Sequence, residues 1–133
     1  MLSTNAVAGV RCFDDLIAYQ RAVELRDLIY AMTDGTVEAR DRRFRDQIRD
    51  AAASAPRNLA EGFGRFSPRD FARFATIARG SITETQNHLR HGLRQRYFSQ
   101  SQHDAAWKLS RRAIAATAGL IRYLKSCDLD QFR

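Results

Sequence analysis

Residues 67–97 read SPRDFARFATIARGSITETQNHLRHGLRQRY. Ser67, Pro68 and Asp70 form a helix-start signal: a hydroxyl to cap, a ring that presets φ, and a carboxylate near the positive end of the dipole. Beyond it, with each residue turned by ~100°, Phe71, Ala75, Ala78, Ile82, Leu89 and Leu93 fall on one side. Arg69, Arg73, Arg79, Arg90 and Arg94 gather opposite, within an arc of about 120°. The stretch is therefore a long amphipathic helix, ~45 Å end to end, with an apolar flank and a basic flank.

The neighbouring stretches repeat the period. After it, Ser101-Gln102-His103-Asp104 gives another capping pattern, and a helix is expected to about Lys125. Before it, a helix is expected from about Asp41 to Glu61, with Phe44, Ile48, Ala51, Ala52, Ala55 and Leu59 on one side and Gly62 as its stop. The first helix is expected from about Asp14 to Thr33, with Asp14 as N-cap, a Phe13–Ile17 hydrophobic staple, and Asp34-Gly35 as its end. Nothing alternates with period two, so no strand is expected. The fold class is all-α: an antiparallel up-down-up-down four-helix bundle over 13–125, with tails at 1–12 and 126–133.

Composition supports this. The chain has 133 residues, 44% hydrophobic and 28% charged, enough for one domain with a real core. Only 7 Gly and 2 Pro argue against a turn-rich sandwich or barrel. No apolar run is long enough to span a membrane, the first twelve residues are not a secretory signal, and a cytoplasmic home is expected. The formal net charge is +7, and every cation except Lys108 and Lys125 is arginine. The excess is uneven: the first 35 residues are net acidic, whereas 63–98 carry seven arginines against Asp70 and Glu84. A basic small domain is drawn to polyanions.

The first helix has a second feature. Leu25, Leu28, Ile29 and Met32 form one apolar side, and Leu16, Tyr19, Val23 and Tyr30 another. A helix in a lone bundle needs one apolar face. Burial of the second against another copy of the chain is expected, with Leu16, Tyr19, Val23, Leu25 and Ile29 at the interface.

Catalytic and metal chemistry are sparse. His88 and His91 are spaced i, i+3, yet no Cys lies near, and Glu84 lacks the partner a di-iron bundle needs. They read as solvated histidines, with no metal or cofactor. Cys12 and Cys127 fall at the same end of such a bundle and read as free thiols. There is no nucleophile elbow, P-loop or dinucleotide motif. Arg96 and His103 fit the loose Arg/His spacing of some helical ribonucleases, with His as acid or base and Arg on phosphate. The stretch 47–65 is richer in structural than in reactive signals. Pro56 frees a carbonyl that Ser54 and Asn58 are placed to serve, and Asn58 and Glu61 are expected to tie the Gly62–Gly64 turn to the next helix.

Three blocks of residues resemble one family: Phe13-x-x-Leu16-x-x-Tyr19-x-x-Ala22; Gln47-x-Arg49 with Ser54-x-Pro56-x-Asn58-x-Ala60-Glu61-Gly62-x-Gly64-Arg65; and Phe71-x-x-Phe74-x-x-Ile77-Ala78-x-Gly80-Ser81-x-x-Glu84. The chain resembles, over about 13–125, the four-helix proteins encoded in intervening sequences of bacterial 23S ribosomal RNA genes, also called S23 ribosomal proteins. These are similar to the accessory protein of diversity-generating retroelements. The resemblance implies a ring-like homopentamer with a basic surface that binds nucleic acid and a reverse transcriptase, without enzymatic activity. Here the expected nucleic-acid contacts are Arg69, Arg73, Arg79, Arg90 and Arg94, then Arg42, Arg43 and Arg45 of a run that includes Arg40. The alternatives are a module that docks a reverse transcriptase or other acidic protein, and the Arg96/His103 ribonuclease.

Overall fold

The computed structural model describes residues 10, 12–35 and 41–131, with side chains through 127. The expected tail 1–12 falls mostly outside these residues, as does Arg40. A 3-10 turn, Phe13–Asp15, precedes four helices: α1 (Ile17–Met32), α2 (Arg42–Phe63), α3 (Pro68–Arg94) and α4 (Gln100–Gln131). No strand occurs among the described residues. The main packing partners follow the chain in a closed circuit, α1 on α2, α2 on α3, α3 on α4 and α4 on α1.

Three of the starts follow side-chain chemistry. Asp41 accepts the Phe44 N–H at 3.0 Å and caps α2. Ser67 accepts the Asp70 N–H, and Pro68 opens α3. At α4 the box lies two residues earlier than expected. Ser99 Oγ accepts the Gln102 N–H (3.1 Å), while Gln102 Oε1 accepts the Ser99 N–H (2.8 Å). Each side chain satisfies a donor of the other, and Ser101 is left exposed inside the helix. At the far end α4 runs past Lys125 to Gln131, where a tail was expected.

The start of α1 corrects the sequence reading. Asp14 lies in the 3-10 turn, and Leu16 is the N-cap without a side-chain hydrogen bond. Ile17 is 54% exposed, so no staple forms; Phe13 packs edge-on against Tyr19 instead, at 5.0 Å between centroids. The end of α2 also differs. The helix passes through Gly62 and stops at Phe63, with Gly64 as C-cap at a right-handed φ of −75°. Gly62 is buried because α3 comes close: a Cβ there would lie 2.8 Å from both Phe71 Cδ1 and Phe74 Cβ.

The core is aliphatic. Leu25, Ile29, Ile48, Leu59, Ile82, Leu89 and Leu124 are fully buried, each worth ~1.5–3 kcal/mol of transfer free energy. Buried hydroxyls return to their own helices: Thr33 to Ile29 O, Thr85 to Ser81 O, Thr117 to Ala113 O. Polar contacts also cross between helices, among them Ser54 Oγ with Ser81 Oγ and Gln86 Nε2 to Ser110 Oγ, both 2.8 Å.

Candidate nucleic-acid interface

The arginines of α3 occupy the flank expected of them. Arg69, Arg73, Arg90 and Arg94 are exposed and Arg79 is half-buried. Arg73 pairs with Asp70 at 3.6 Å and lies 4.7 Å over the Phe74 ring. Among the described residues, no carboxylate lies within ion-pairing distance of Arg79, Arg90 or Arg94. Their charge is thus available to an outside anion.

This flank borders α4, a neighbour that the sequence reading left out. Arg69, Ala72, Arg73 and Thr76 of α3 share a depression with Lys125 of α4. Toward the other end of α3, Arg90, Leu93 and Arg94 share one with His103 and Trp107. A further depression along α4 is lined by Asp104, Trp107, Lys108, Arg111, Arg112 and Ala115. Lys125 of α4 thus shares one hollow with Arg69 and Arg73, His103 and Trp107 share another with Arg90 and Arg94, and Lys108, Arg111 and Arg112 carry the charge from Trp107 along α4 itself. The missed signal was Trp107-Lys108 followed one turn later by Arg111-Arg112, an aromatic beside cations at helical spacing. Trp107 is held in place from beneath: Ser110 Oγ donates to its carbonyl (2.6 Å) and accepts from Gln86 of α3.

The second arginine group divides. Arg42 and Arg43 are exposed at the start of α2. Arg45 is a structural residue and leaves the contact set. Its Nε donates to Thr33 O at 2.9 Å, at the end of α1. Arg49, one turn on, donates to Thr33 Oγ1 (2.9 Å) and Tyr30 O (3.0 Å), and its guanidinium lies 4.7 Å over the Tyr30 ring. Two guanidiniums serve the carbonyl end of α1, where the dipole favours positive charge.

The expected oligomer surface divides as well. Leu16, Leu25 and Ile29 are 1%, 0% and 0% exposed within one chain, so they are core and not interface. The expected interface draws residues from both apolar sides of α1, but α2 and α4 already cover the side that carries Leu25 and Ile29. Tyr19 and Val23 are half-buried, and Tyr30 on the same flank is 38% exposed.

The 54–64 motif is structural. Ser54 bonds Ser81, and Asn58 Nδ2 turns back to Ser54 O (2.8 Å) and Oγ (3.0 Å). This corrects one expectation, because Asn58 does not reach the next helix, nor the Ala52 carbonyl that Pro56 leaves without its N–H partner. Pro56 itself is buried in an unbroken α2. Glu61 does brace the turn, through Arg65 at 3.1 Å.

One of the two histidines is less solvated than expected. His88 packs edge-on against Phe44, with Nε2 3.5 Å from Glu84, while His91 is exposed. Among the described residues, no group of three His, Cys, Asp or Glu side chains is placed to hold a metal. Cys12 and Cys127 are free thiols. Arg96 is exposed in the α3–α4 connection at φ 61°. His103 stacks on Trp107 and places Nδ1 2.9 Å from Asp104. That contact, with a second from Gln100, holds the Asp104 carboxyl below its ordinary pKa. No described helix is long and apolar enough to cross a membrane.

Residues 14–118 match the model of a family described as 23S rRNA-intervening sequence protein. A solved structure of a protein of unknown function from the S23 ribosomal protein family of Bacteroides thetaiotaomicron is similar, with a TM-score of 0.71 at 18% identity. The match covers 79% of this chain and 98% of that one, and at such identity it shows the fold alone. No curated protein matches the sequence.

Proposed function

We propose, for a chain that belongs to the 23S rRNA-intervening sequence protein family, a non-enzymatic role: a homo-oligomeric bundle that binds nucleic acid through its α3–α4 flank without sequence preference. The arginine flank carries this reading. Arg79, Arg90 and Arg94 face outward with no carboxylate in ion-pairing range among the described residues, and Lys108, Arg111 and Arg112 continue the charge onto α4. Guanidiniums engage phosphate oxygens in a bidentate fork, and such contacts carry no base information. The reading takes the helices as antiparallel, up-down-up-down, and what supports it for α3 and α4 is that the start of α3 shares one depression with the end of α4 and the end of α3 shares another with the start of α4.

Copies associate through the outer flank of α1, where Tyr19, Val23 and Tyr30 leave apolar surface uncovered. The resemblance to retroelement accessory proteins sets the expected number at five. Light scattering with and without a short RNA, across a salt series, tests both parts. A mass several times the protomer and a salt-sensitive RNA complex are expected. A stable monomer at micromolar concentration overturns the assembly, and absence of any complex at low salt overturns the binding.

A further inference from the structure

The chain holds a single tryptophan, and it stands in the basic cleft. Trp107 is half-buried and packs against the core. The Arg90 guanidinium lies 4.7 Å from its ring centroid, and His103 stacks on it at 5.5 Å, 22° from parallel. The ring forms part of the wall of two hollows. One, of about 440 Å³, also contains Arg90, Leu93, Arg94 and His103. The other, of about 500 Å³, contains Asp104, Lys108, Arg111, Arg112 and Ala115.

Phosphate contact by itself requires only cations. Here an indole, an imidazole and a guanidinium lie as near-parallel or facing planes with cations in both hollows. That combination matches what an unpaired strand offers: a charged backbone together with bases whose faces are free to stack. A duplex keeps its base faces inside and presents phosphates alone. Arg90 marks the side of the indole that a base would take. As an exposed arginine without a carboxylate in range among the described residues, it leaves that side without disturbing the core. His103 Nε2 is buried with no hydrogen-bond partner among the described residues, a polar atom within the same cluster whose pairing is incomplete.

We propose that the α3–α4 cleft around Trp107 is a binding site for single-stranded nucleic acid. Arg90 and Arg94 of the cleft hold the phosphates, Lys108, Arg111 and Arg112 of the adjoining hollow on α4 continue the track, and a base stacks on the indole that the two hollows share. This rests on the nucleic-acid reading above and narrows it to unpaired strands at a stated place.

Trp107 reports on its own site. The full chain is titrated with a homopyrimidine RNA, the matching DNA single strand, and a duplex of equal length, each carrying a fluorophore. Anisotropy reads binding, and tryptophan emission reads the cleft. Saturable quenching by single strands, with the same midpoint as the anisotropy and tighter than the duplex, supports the site. A preference for RNA over DNA adds a contact to the 2′-hydroxyl; equal affinity leaves stacking and phosphate contact as the shared chemistry, and both results are consistent with it. Trp107→Leu, verified as folded by circular dichroism, weakens single-strand binding about tenfold while the salt slope stays unchanged, because stacking is lost and no phosphate contact is. Binding with unaltered tryptophan emission, or equal affinity for duplex, overturns the site and leaves the general reading standing. Absence of binding to all three probes overturns both.

Discussion

Replacing Gly92 by alanine is expected to destabilise the protein, although the same change in an open helix does the reverse. Gly92 is buried on α3 where the α3–α4 connection folds back. A Cβ built there overlaps the tip of the Phe98 ring and comes within 2.8 Å of Phe44 Cζ. Neither ring is free to move away. Phe98 is 6% and Phe44 4% exposed, and Phe44 is also packed by Tyr97 at 4.9 Å and His91 at 5.7 Å. Overpacking of this kind costs ~1–3 kcal/mol, against a helix-propensity gain of ~0.5–1 kcal/mol. The net loss is up to about 2.5 kcal/mol, or up to about 9 °C in Tm for a domain of this length. Gly80 on the same helix is the control, because a Cβ there meets nothing within 4 Å. Gly80→Ala is expected to gain ~0.5–1 kcal/mol and raise Tm by about 2–4 °C. Thermal unfolding followed by circular dichroism gives both signs. A Gly92→Ala protein as stabilised as Gly80→Ala would refute the close packing of α3 against its connection.

Other outcomes follow from the same structure. Leu25→Ala should cost ~2–5 kcal/mol in urea unfolding, as a cavity in the core of one chain, whereas Tyr19→Ser with Val23→Ser should lower the sedimenting mass more than it lowers stability. If Leu25→Ala dissociates an assembly yet leaves the fold at full stability, the assignment of Leu25 to the core is wrong. Asp41 accepts from Tyr97 Oη and the Phe44 N–H, which hold its carboxyl below its ordinary value of 3.8. A lowered folded pKa gives stability that is complete above the ordinary value and fades as pH falls through the folded one. Acid titration of Asp41→Asn should therefore show a shallower loss below about pH 4 than the parent; an unchanged acid limb counts against the contact. Ser99→Ala removes half of the α4 capping box and should cost ~0.5–2 kcal/mol, measured by urea midpoint, while Ser101→Ala should cost much less.

The helices and their buried faces were legible because apolar spacing reports them directly. Phe44, Ile48, Ala51, Ala52, Ala55 and Leu59 are all buried on α2, and Phe71, Ala75, Ala78, Ile82 and Leu89 on α3. The errors lie where a single-helix pattern meets a tertiary choice. Leu16, Leu25 and Ile29 resemble surplus apolar surface on a lone wheel, yet α2 and α4 cover the side that carries Leu25 and Ile29. Arg45 has the composition of a phosphate contact, and only folding shows that the Thr33 carbonyl lies within its reach. Gly62 resembles a helix stop; its role as a point of close approach depends on where Phe71 and Phe74 arrive. The α4 half of the cleft went unread because Trp107 and its cations form no stripe until α3 is set beside them. The α3 stripe itself was visible from periodicity alone.

The salt dependence of RNA affinity tests the central claim most directly. Binding of a short RNA is measured by anisotropy at several salt concentrations for the parent and for Arg79→Gln/Arg90→Gln/Arg94→Gln. With three phosphate contacts removed, the slope of log affinity against log salt should fall by about two to three units. If slope and affinity match those of the parent, the α3 arginines are solvated surface and the nucleic-acid reading fails.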